Sequence, residues 1–173
     1  LEAIVALQHP AAPVRATTAA GHVSLAVLPF SILGQPEEST RSFRDGLASD
    51  VAWALQQVPG IRVASRTSTD ALRGQSVRAL GDALDVDHVL EGSVQATGGR
   101  FRVTAGLVAT ETDDQLSMPL RLDVPSADLL SAQDEASSQI VAAVRAAALR
   151  STADSSASPE AHAEYQRGLH AQR

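Results

Sequence analysis

Hydrophobic residues in the first half of the chain occur in two patterns, short continuous runs and runs with helical spacing. Residues 24–30 form an apolar run that predicts a strand, and Pro29 near its end favours extended geometry in the residue before it. Apolar residues then recur every three or four positions up to residue 58, which predicts a helix beginning near Thr40 and capped by Ser39 or Thr40. Residues 61–64 predict a second strand.

Polar segments separate these elements. We interpret residues 31–39 as a loop and the residues that follow the second strand as a polar turn. Ser76 is a suitable N-cap for a helix that carries Val77, Leu80 and Leu84 on one face. The order strand, helix, strand implies a parallel crossover connection.

The centre of the chain contains a hairpin pattern. Residues 88–96 and 101–108 are strand-like, and the sequence Thr97-Gly98-Gly99 joins them. Two glycines allow the positive φ angles that tight hairpins need, so an antiparallel pair is predicted here.

Alternating apolar residues continue after the hairpin, and a long helical pattern follows them. Leu116, Met118, Leu120 and Leu122 have the period of a strand, and Pro119 indicates that this strand lies at the edge of the sheet. Residues 126–150 form the longest helical pattern. The fold class predicted is therefore α/β, with a mixed sheet of about five strands flanked by helices and an additional C-terminal helical segment.

The ends of the chain are interpreted as connecting segments around one domain. Residues 1–22 are expected to be the end of an upstream helix and a linker rich in Pro, Ala and Thr, and residues 23–150 the α/β domain. Residues 151–158 are expected to be a second linker, after which Pro159 opens a helix over residues 159–173. Because the chain starts without Met, we expect it to be a piece of a longer protein.

Composition limits both the core and the chemistry. Hydrophobic residues make up 44% of the chain and aromatic residues 3%, so the core must be mainly aliphatic, with four aromatic residues as expected anchors. These are Trp53, Phe30, Phe43 and Phe101. The absence of Lys and Cys excludes P-loops, Schiff-base lysines, thiolate catalysis and disulfides. The net charge of −6 argues against nucleic acid as a partner.

Acidic residues and histidine form few groupings suited to catalysis or metal binding. Asp85, Asp87 and His88 have a spacing that fits part of a metal site, but their position between a helix and a strand is more typical of Asp in a turn. Asp45 and Asp50 diverge by about 140° around a helix, so they make a poor acid–base pair. We therefore predict no catalytic residues, no metal and no cofactor.

A local excess of positive charge follows the second predicted strand of this acidic chain. Its arginines are Arg62, Arg66, Arg73 and Arg78. Only Asp70 opposes them in this stretch, and guanidinium groups suit phosphate or carboxylate. These residues are a candidate anion-binding site, and the alternative is a solvated loop with surface ion pairs.

Several short strings are distributed along the predicted elements. They are Ser24-Leu-Ala-Val-Leu-Pro-Phe30, Asp45-Gly46-Leu47, Arg66-Thr67-Ser68, Gly74-Gln75, Val89-Leu-Glu-Gly-Ser-Val94 and Gln133-Asp134-Glu135. Together, over residues 24–150, they resemble the TolB amino-terminal-like domains of bacterial signalling and envelope proteins. Residues 159–168 resemble the first helix of a tetratricopeptide repeat array. The family usually has aromatic residues in the strand at residues 116–122, and their absence here puts contacts through that strand in doubt.

The resemblance implies a sensory, coupling or protein-interaction domain without enzymatic activity. It would be attached to a kinase, a nucleotide cyclase or a transcriptional regulator in a bacterial protein, with other proteins or adjacent domains as partners. Two alternatives stay open, a TolB-like periplasmic envelope protein and a small hydrolase. The location would be periplasmic if a membrane span precedes residue 1, and cytoplasmic otherwise; no span is expected in this piece.

Overall fold

A computed structural model describes residues 22–113 and 119–168, with side chains described up to residue 150. Within these ranges the chain forms six strands and four helices. In chain order they are β1 (Val23–Val27), β2 (Ser31–Leu33), α1 (Glu38–Gln56), β3 (Ile61–Val63), α2 (Arg66–Ala71), α3 (Val77–Leu84), β4 (His88–Thr97), β5 (Arg100–Ala109), β6 (Leu120–Pro125) and α4 (Leu129–Gly168).

All the described strands belong to one mixed sheet. The strand order is β3-β1-β4-β5-β6, and β2 pairs with β4 beyond the end of β1. β1 is parallel to β3 and β4, whereas β5 is antiparallel to both β4 and β6. The predicted fold class and the predicted parallel crossover are confirmed, and β6 lies at the edge that Pro119 indicated.

A bulge separates β1 from β2 along β4. Val27 is opposite Leu90 and Ser31 is opposite Ser93, so residues 28–30 face only residues 91 and 92. The extra residue lets the side chain of Phe30 enter the core, where it is 1% exposed. The prediction of a loop at residues 31–39 was wrong for residues 31–33, because a three-residue strand is too short to give a period.

The predicted hairpin is confirmed. Thr97 pairs with Arg100, so that only Gly98 and Gly99 form the turn. Their φ angles of 55° and 74° are the positive values that such a two-residue turn requires.

Helix starts followed the prediction in one case and not in another. Ser76 caps α3, with its Oγ accepting a hydrogen bond from the Ala79 amide at 3.2 Å. The prediction that Ser39 or Thr40 caps α1 was wrong, because the N-cap is Glu37 and both residues lie inside the helix. The short helix α2 falls where a polar turn was expected. Only one of its six side chains, that of Thr69, is buried, so the sequence shows no apolar periodicity that would predict a helix there.

Helices α1 and α4 cover one face of the sheet and form the main core with it. The Phe43 ring of α1 stacks on Phe101 of β5 with centroids 4.2 Å apart, and Phe30, Phe43 and Phe101 are all buried as predicted. Trp53 was expected to be a fourth anchor, and this was wrong. Its side chain is 67% exposed because it lies on the face of α1 opposite the buried residues.

Contacts of α2 with β1 and of α3 with β4 place these helices at one end of the opposite face. Gly81 of α3 lies so close to Thr110 that an added Cβ would be 2.4 Å from the Thr110 Cβ. The Thr110 Oγ1 also donates to the Val86 carbonyl at 2.9 Å, which ties α3 and the loop after it to the end of β5. The rest of this face, towards β2 and β6, has no helix over it in the described structure.

The long last helix includes residues that we had expected to form a linker. α4 runs continuously from Leu129 to Gly168, through residues 151–158 and Pro159. The proposed division into domains stays a prediction. The expected helix end and linker at residues 1–21, Leu116 and Met118 of the predicted last strand, and residues 169–173 lie outside the described residues. None of the described helices is long and apolar enough to cross a membrane.

Candidate functional site

The uncovered part of the sheet is a polar face built by strand alternation. Side chains at every second position of β4 and β5 point away from the core. On β4 and β5 these residues are Glu91, Ser93, Gln95, Arg102 and Thr104. Across the strands, Glu91 is opposite Gly106, Ser93 opposite Thr104, and Gln95 opposite Arg102. The sheet therefore presents an ordered row of polar groups beside the short strand β2.

Two adjoining cavities follow this row, and we call them together the open groove. One, of about 390 Å³, lies at the Glu91 end and is bordered by Leu28, Pro29 and Gly106. The other, of about 380 Å³, lies at the Arg102 end and is bordered by Gln95 and Arg121. The residues common to both are Leu33, Ser93, Thr104 and Pro119. The two cavities therefore form one continuous depression.

Glycine gives the open groove its depth. Gly106 leaves a gap in the row of outward side chains between Thr104 and Val108. On the inner side of β4, an added Cβ on Gly92 would lie 2.2 Å from the Thr104 carbonyl oxygen and 3.2 Å from Phe30. Gly92 thus allows β4 and β5 to approach closely beneath the groove.

Positive charge is concentrated at one end of the open groove. Arg102 donates from Nε and Nη2 to the two carboxylate oxygens of Asp123 at 2.9 and 3.2 Å, and Arg100 donates to the Asp123 carbonyl at 3.2 Å. The hydrogen bond from Arg102, with the charges of Arg102, Arg100 and Arg121, holds the pKa of Asp123 below its usual value. Three arginines around one aspartate leave two positive charges uncompensated on a chain of net charge −6.

Several polar groups in the open groove are available to a ligand. Arg121 is exposed and, like Ser93, Gln95 and Thr104, its side chain makes no hydrogen bond to any residue that the structure describes. Leu33, at the rim, is 50% exposed. The groove thus combines free hydroxyl, amide and guanidinium donors with an apolar wall.

The arginines of the predicted anion site contact separate partners. Arg62 donates to the carbonyl of Asp85 and has its guanidinium 3.7 Å from the Asp85 carboxylate. Arg66 donates to the Ser49 hydroxyl of α1 at 2.7 Å.

The remaining two arginines of that predicted site lie on and after the two short helices. Arg73 forms an ion pair with Asp70 at 3.3 Å, and Arg78 is exposed on α3. These contacts are of the kind expected from the alternative interpretation, in which the segment is a solvated loop with surface ion pairs. The anion-binding role of the four arginines stays a prediction.

The Asp85, Asp87 and His88 grouping is part of the structure of a tight turn. Asp85 ends α3 in the left-handed conformation with φ of 52°. Asp87 accepts from the Ser24 hydroxyl at 2.8 Å and its amide donates back to the same oxygen at 3.0 Å, which fixes β1 against the start of β4. His88 is 8% exposed, and burial lowers its pKa against the opposing effects of the Asp87 charge and a backbone hydrogen bond with Ser24.

Within the described residues, no three His, Asp or Glu side chains are grouped closely enough to hold a metal ion. Asp45, one of the acidic residues of α1, is paired with Arg44 at 2.8 Å. Among the features that the structure describes, the open groove is the strongest candidate for binding.

Sequence reasoning did not single out the open groove. The alternation of Arg102 and Thr104 with buried residues identified a mixed face on β5, but nothing in the sequence placed β2 beside β4. The signal was the alternation of Glu91, Ser93 and Gln95 in β4, which marks a second polar row next to the first.

Among known proteins, one relative is "Putative adenylate cyclase 3" of Rhizobium meliloti. It is 36% identical over 125 residues, which are 70% of this chain and 21% of that protein. The chain thus spans about a fifth of the length of this curated relative. No model of a known protein family matches the chain.

Two solved structures have a similar fold. TolB from Acinetobacter baumannii superposes with a TM-score of 0.52 over 73% of this chain and 28% of its own, at 19% sequence identity. A hypothetical protein from Chlamydia trachomatis gives 0.53 over 73% of this chain and 98% of its own, at 11% identity. The chain shares its fold with these bacterial proteins.

Four of the six strings on which the resemblance was based meet in space, in two pairs. Residues 24–30 and 89–94 lie side by side, with Ala26 opposite Val89. Gln133 of α4 lies against Gly46 of α1 and donates from Nε2 to the Ser42 carbonyl at 3.1 Å. These contacts give those four strings a structural reason, since each of the four supplies one side of a close contact.

Proposed function

We propose that this chain is a non-catalytic sensory, coupling or protein-interaction domain of a larger bacterial signalling protein. The observation that carries the proposal is the match to the Rhizobium meliloti protein, whose name indicates nucleotide cyclase activity and of which this chain covers 21%. A segment that small is expected to serve a neighbouring domain. Such a domain acts by contacting other proteins or neighbouring domains and does not convert a substrate.

The described side chains support this proposal. The four described groups with shifted pKa values are engaged in structural contacts. His88 is buried in the sheet, Arg102 and Asp123 pair with each other, and Asp128 accepts hydrogen bonds from Leu130 and Ser131 at the start of α4. The open groove offers an accessible polar surface on a rigid sheet, which suits recognition of a protein segment.

Reading the gene sequence upstream and downstream of the region that encodes this chain tests the proposal. We expect it to encode a kinase, nucleotide cyclase or DNA-binding domain in the same reading frame. A gene whose product is no longer than this chain would contradict the proposal. A β-propeller after residue 173 would favour the alternative, a TolB-like periplasmic envelope protein.

A functional test uses the full-length product. Replacing Gly92 with Val places methyl groups against the Thr104 carbonyl and should distort β4, so the output of the attached domain should change. Arg41→Ala, at an exposed residue of α1, is the control and should leave that output unchanged. If both variants behave like the natural protein while Gly92→Val visibly lowers the melting temperature, the domain has no coupling role.

A further inference from the structure

The open groove has the dimensions of an extended peptide. Its outward row on β4 runs from Glu91 to Gln95, four residues apart, which corresponds to about 13 Å of strand. A ligand strand of five residues covers the same distance, with its first, third and fifth side chains directed at the sheet. The spacing of the outward side chains along the groove therefore matches the spacing of the side chains that a peptide lying in it would direct at the sheet.

The charges in the open groove set what the peptide must contain. Glu91 at one end repels carboxylates, whereas Arg121 and the arginines around Asp123 attract them at the other. Leu28 and Pro29 supply apolar surface at the Glu91 end, and Leu33 and Pro119 border both cavities. The two ends thus require different side chains, an apolar one and an acidic one.

We propose that the open groove binds an extended acidic peptide segment of a partner protein. An apolar side chain of the peptide fills the space over Gly106, beside Leu28 and Pro29, and a carboxylate four residues away pairs with Arg121. Ser93 and Thr104 donate hydrogen bonds between these two anchors. This inference is independent of which domain is attached to the chain.

A peptide explains the open groove better than a small anion does. Of the two arginines that line the groove, Arg102 already binds both oxygens of Asp123, so an isolated carboxylate or phosphate in the groove would find Arg121 alone with all its donors free. One exposed ion pair is worth little by itself. Useful affinity requires the apolar anchor as well, and only a ligand as long as the groove reaches both.

Fluorescence anisotropy with a labelled hexapeptide of sequence Leu-Gly-Ser-Gly-Asp-Asp tests the proposal on the purified chain. We expect saturable binding that weakens with added salt, because part of the attraction is electrostatic. Peptides with Asn in place of both Asp, or with Ser in place of Leu, should each bind about tenfold more weakly.

Matched variants locate the binding. Arg121→Glu should reduce affinity about tenfold, because it reverses the charge that faces the ligand, whereas Arg145→Glu makes the same change at an exposed residue of α4 and should have no comparable effect. Leu33→Ser should weaken binding, and Leu130→Ser, at a residue 71% exposed on α4, should not. Arg121→Gln is included because it removes the charge with less disturbance of β6.

Three results would overturn the proposal. They are equal binding of the Asn-containing peptide, equal loss of affinity in the Arg145 and Arg121 variants, and complete displacement of the peptide by inorganic phosphate at the concentration of the peptide. None of these results bears on the proposed coupling function. That function is tested by the gene sequence around this region and by the output of the Gly92→Val variant.

Discussion

Thr40 has a polar group in an apolar environment. Its side chain is fully buried in the first turns of α1, and its Oγ1 has no hydrogen-bond partner among the described residues. A buried polar atom without a partner lowers stability, because its hydration is lost and nothing replaces it.

Replacing Thr40 with Val should therefore stabilise the protein. Val has nearly the same shape and lacks the hydroxyl, so we expect the free energy of unfolding to rise by about 1 kcal/mol in chemical denaturation. The matched control is Thr69→Val, since Thr69 is equally buried and its Oγ1 donates to the Ser65 carbonyl at 3.0 Å. That variant should lose stability, and a gain of equal size in both would show that the missing partner is not the cause.

Trp53 illustrates how exposure decides the effect of a large residue. At 67% exposure it contributes little to the core, so Trp53→Ser should change the free energy of unfolding by less than about 0.5 kcal/mol. Phe101→Ala, by contrast, removes a ring that is 2% exposed and stacked on Phe43, and should cost about 3 kcal/mol or more. Urea unfolding of the two variants compares them, and a large loss for Trp53→Ser would contradict this assignment.

Among the elements, the contact of α1 with α4 depends on one missing side chain. A Cβ on Gly46 would lie 1.9 Å from Nε2 of Gln133, whose amide donates to the Ser42 carbonyl. Glycine at this position allows the Gln133 amide to reach the backbone of α1.

Gly46→Ala should consequently destabilise the protein, even though Ala favours helices more than Gly does. The clash displaces Gln133, and we expect a loss of about 1–2 kcal/mol in the free energy of unfolding. Gln133→Ala makes room for the new methyl group, so the double variant should be more stable than the sum of the single changes predicts. Additive effects in this double-mutant cycle would mean that the two residues do not interact.

The elements that the sequence predicted are those whose determinants are local. Two glycines define the hairpin turn, and Ser76 caps the helix that it precedes. The elements that were missed, β2 and α2, have three and six residues and are formed through contacts with β4 and β1. Short segments carry too little periodicity to be recognised without their partners.

The candidate site was missed for a related reason. Sequence reasoning selected the arginines of residues 62–78 because they are close in the chain. The charged end of the open groove combines Arg102 of β5 with Arg121 of β6, which are brought together only by the pairing of those strands. A site built across strands is visible once the register is known.

For the whole molecule, His88 links stability to pH. It is buried in β4 with Nδ1 unpartnered among the described residues, and burial lowers its pKa from the ordinary value of 6.5. With a lower pKa in the folded state, the unfolded chain binds more protons between the two values. The free energy of unfolding should therefore be highest above about pH 6.5 and fall as the pH decreases below it.

Denaturation midpoints measured between about pH 7 and pH 5 should show this dependence. His88→Gln removes the titrating group and should flatten the profile in that range, whatever its effect on absolute stability. His22→Gln is the control, because His22 is exposed just before β1 and should leave the slope unchanged. A slope that persists in the His88 variant would assign the dependence to other groups.

The bulge between β1 and β2 also affects how the sheet meets other molecules of the same protein. It leaves two short strands, β2 and β3, at one margin of the sheet, each with only three residues to offer unpaired backbone groups. At the other margin, β6 is preceded by Pro119 and ends with Pro125, and it carries exposed charges on Arg121 and Asp123. Short or charged margins hinder the strand-by-strand growth of aggregates. We therefore expect this protein to resist aggregation through its sheet edges at high concentration, although its core is mainly aliphatic.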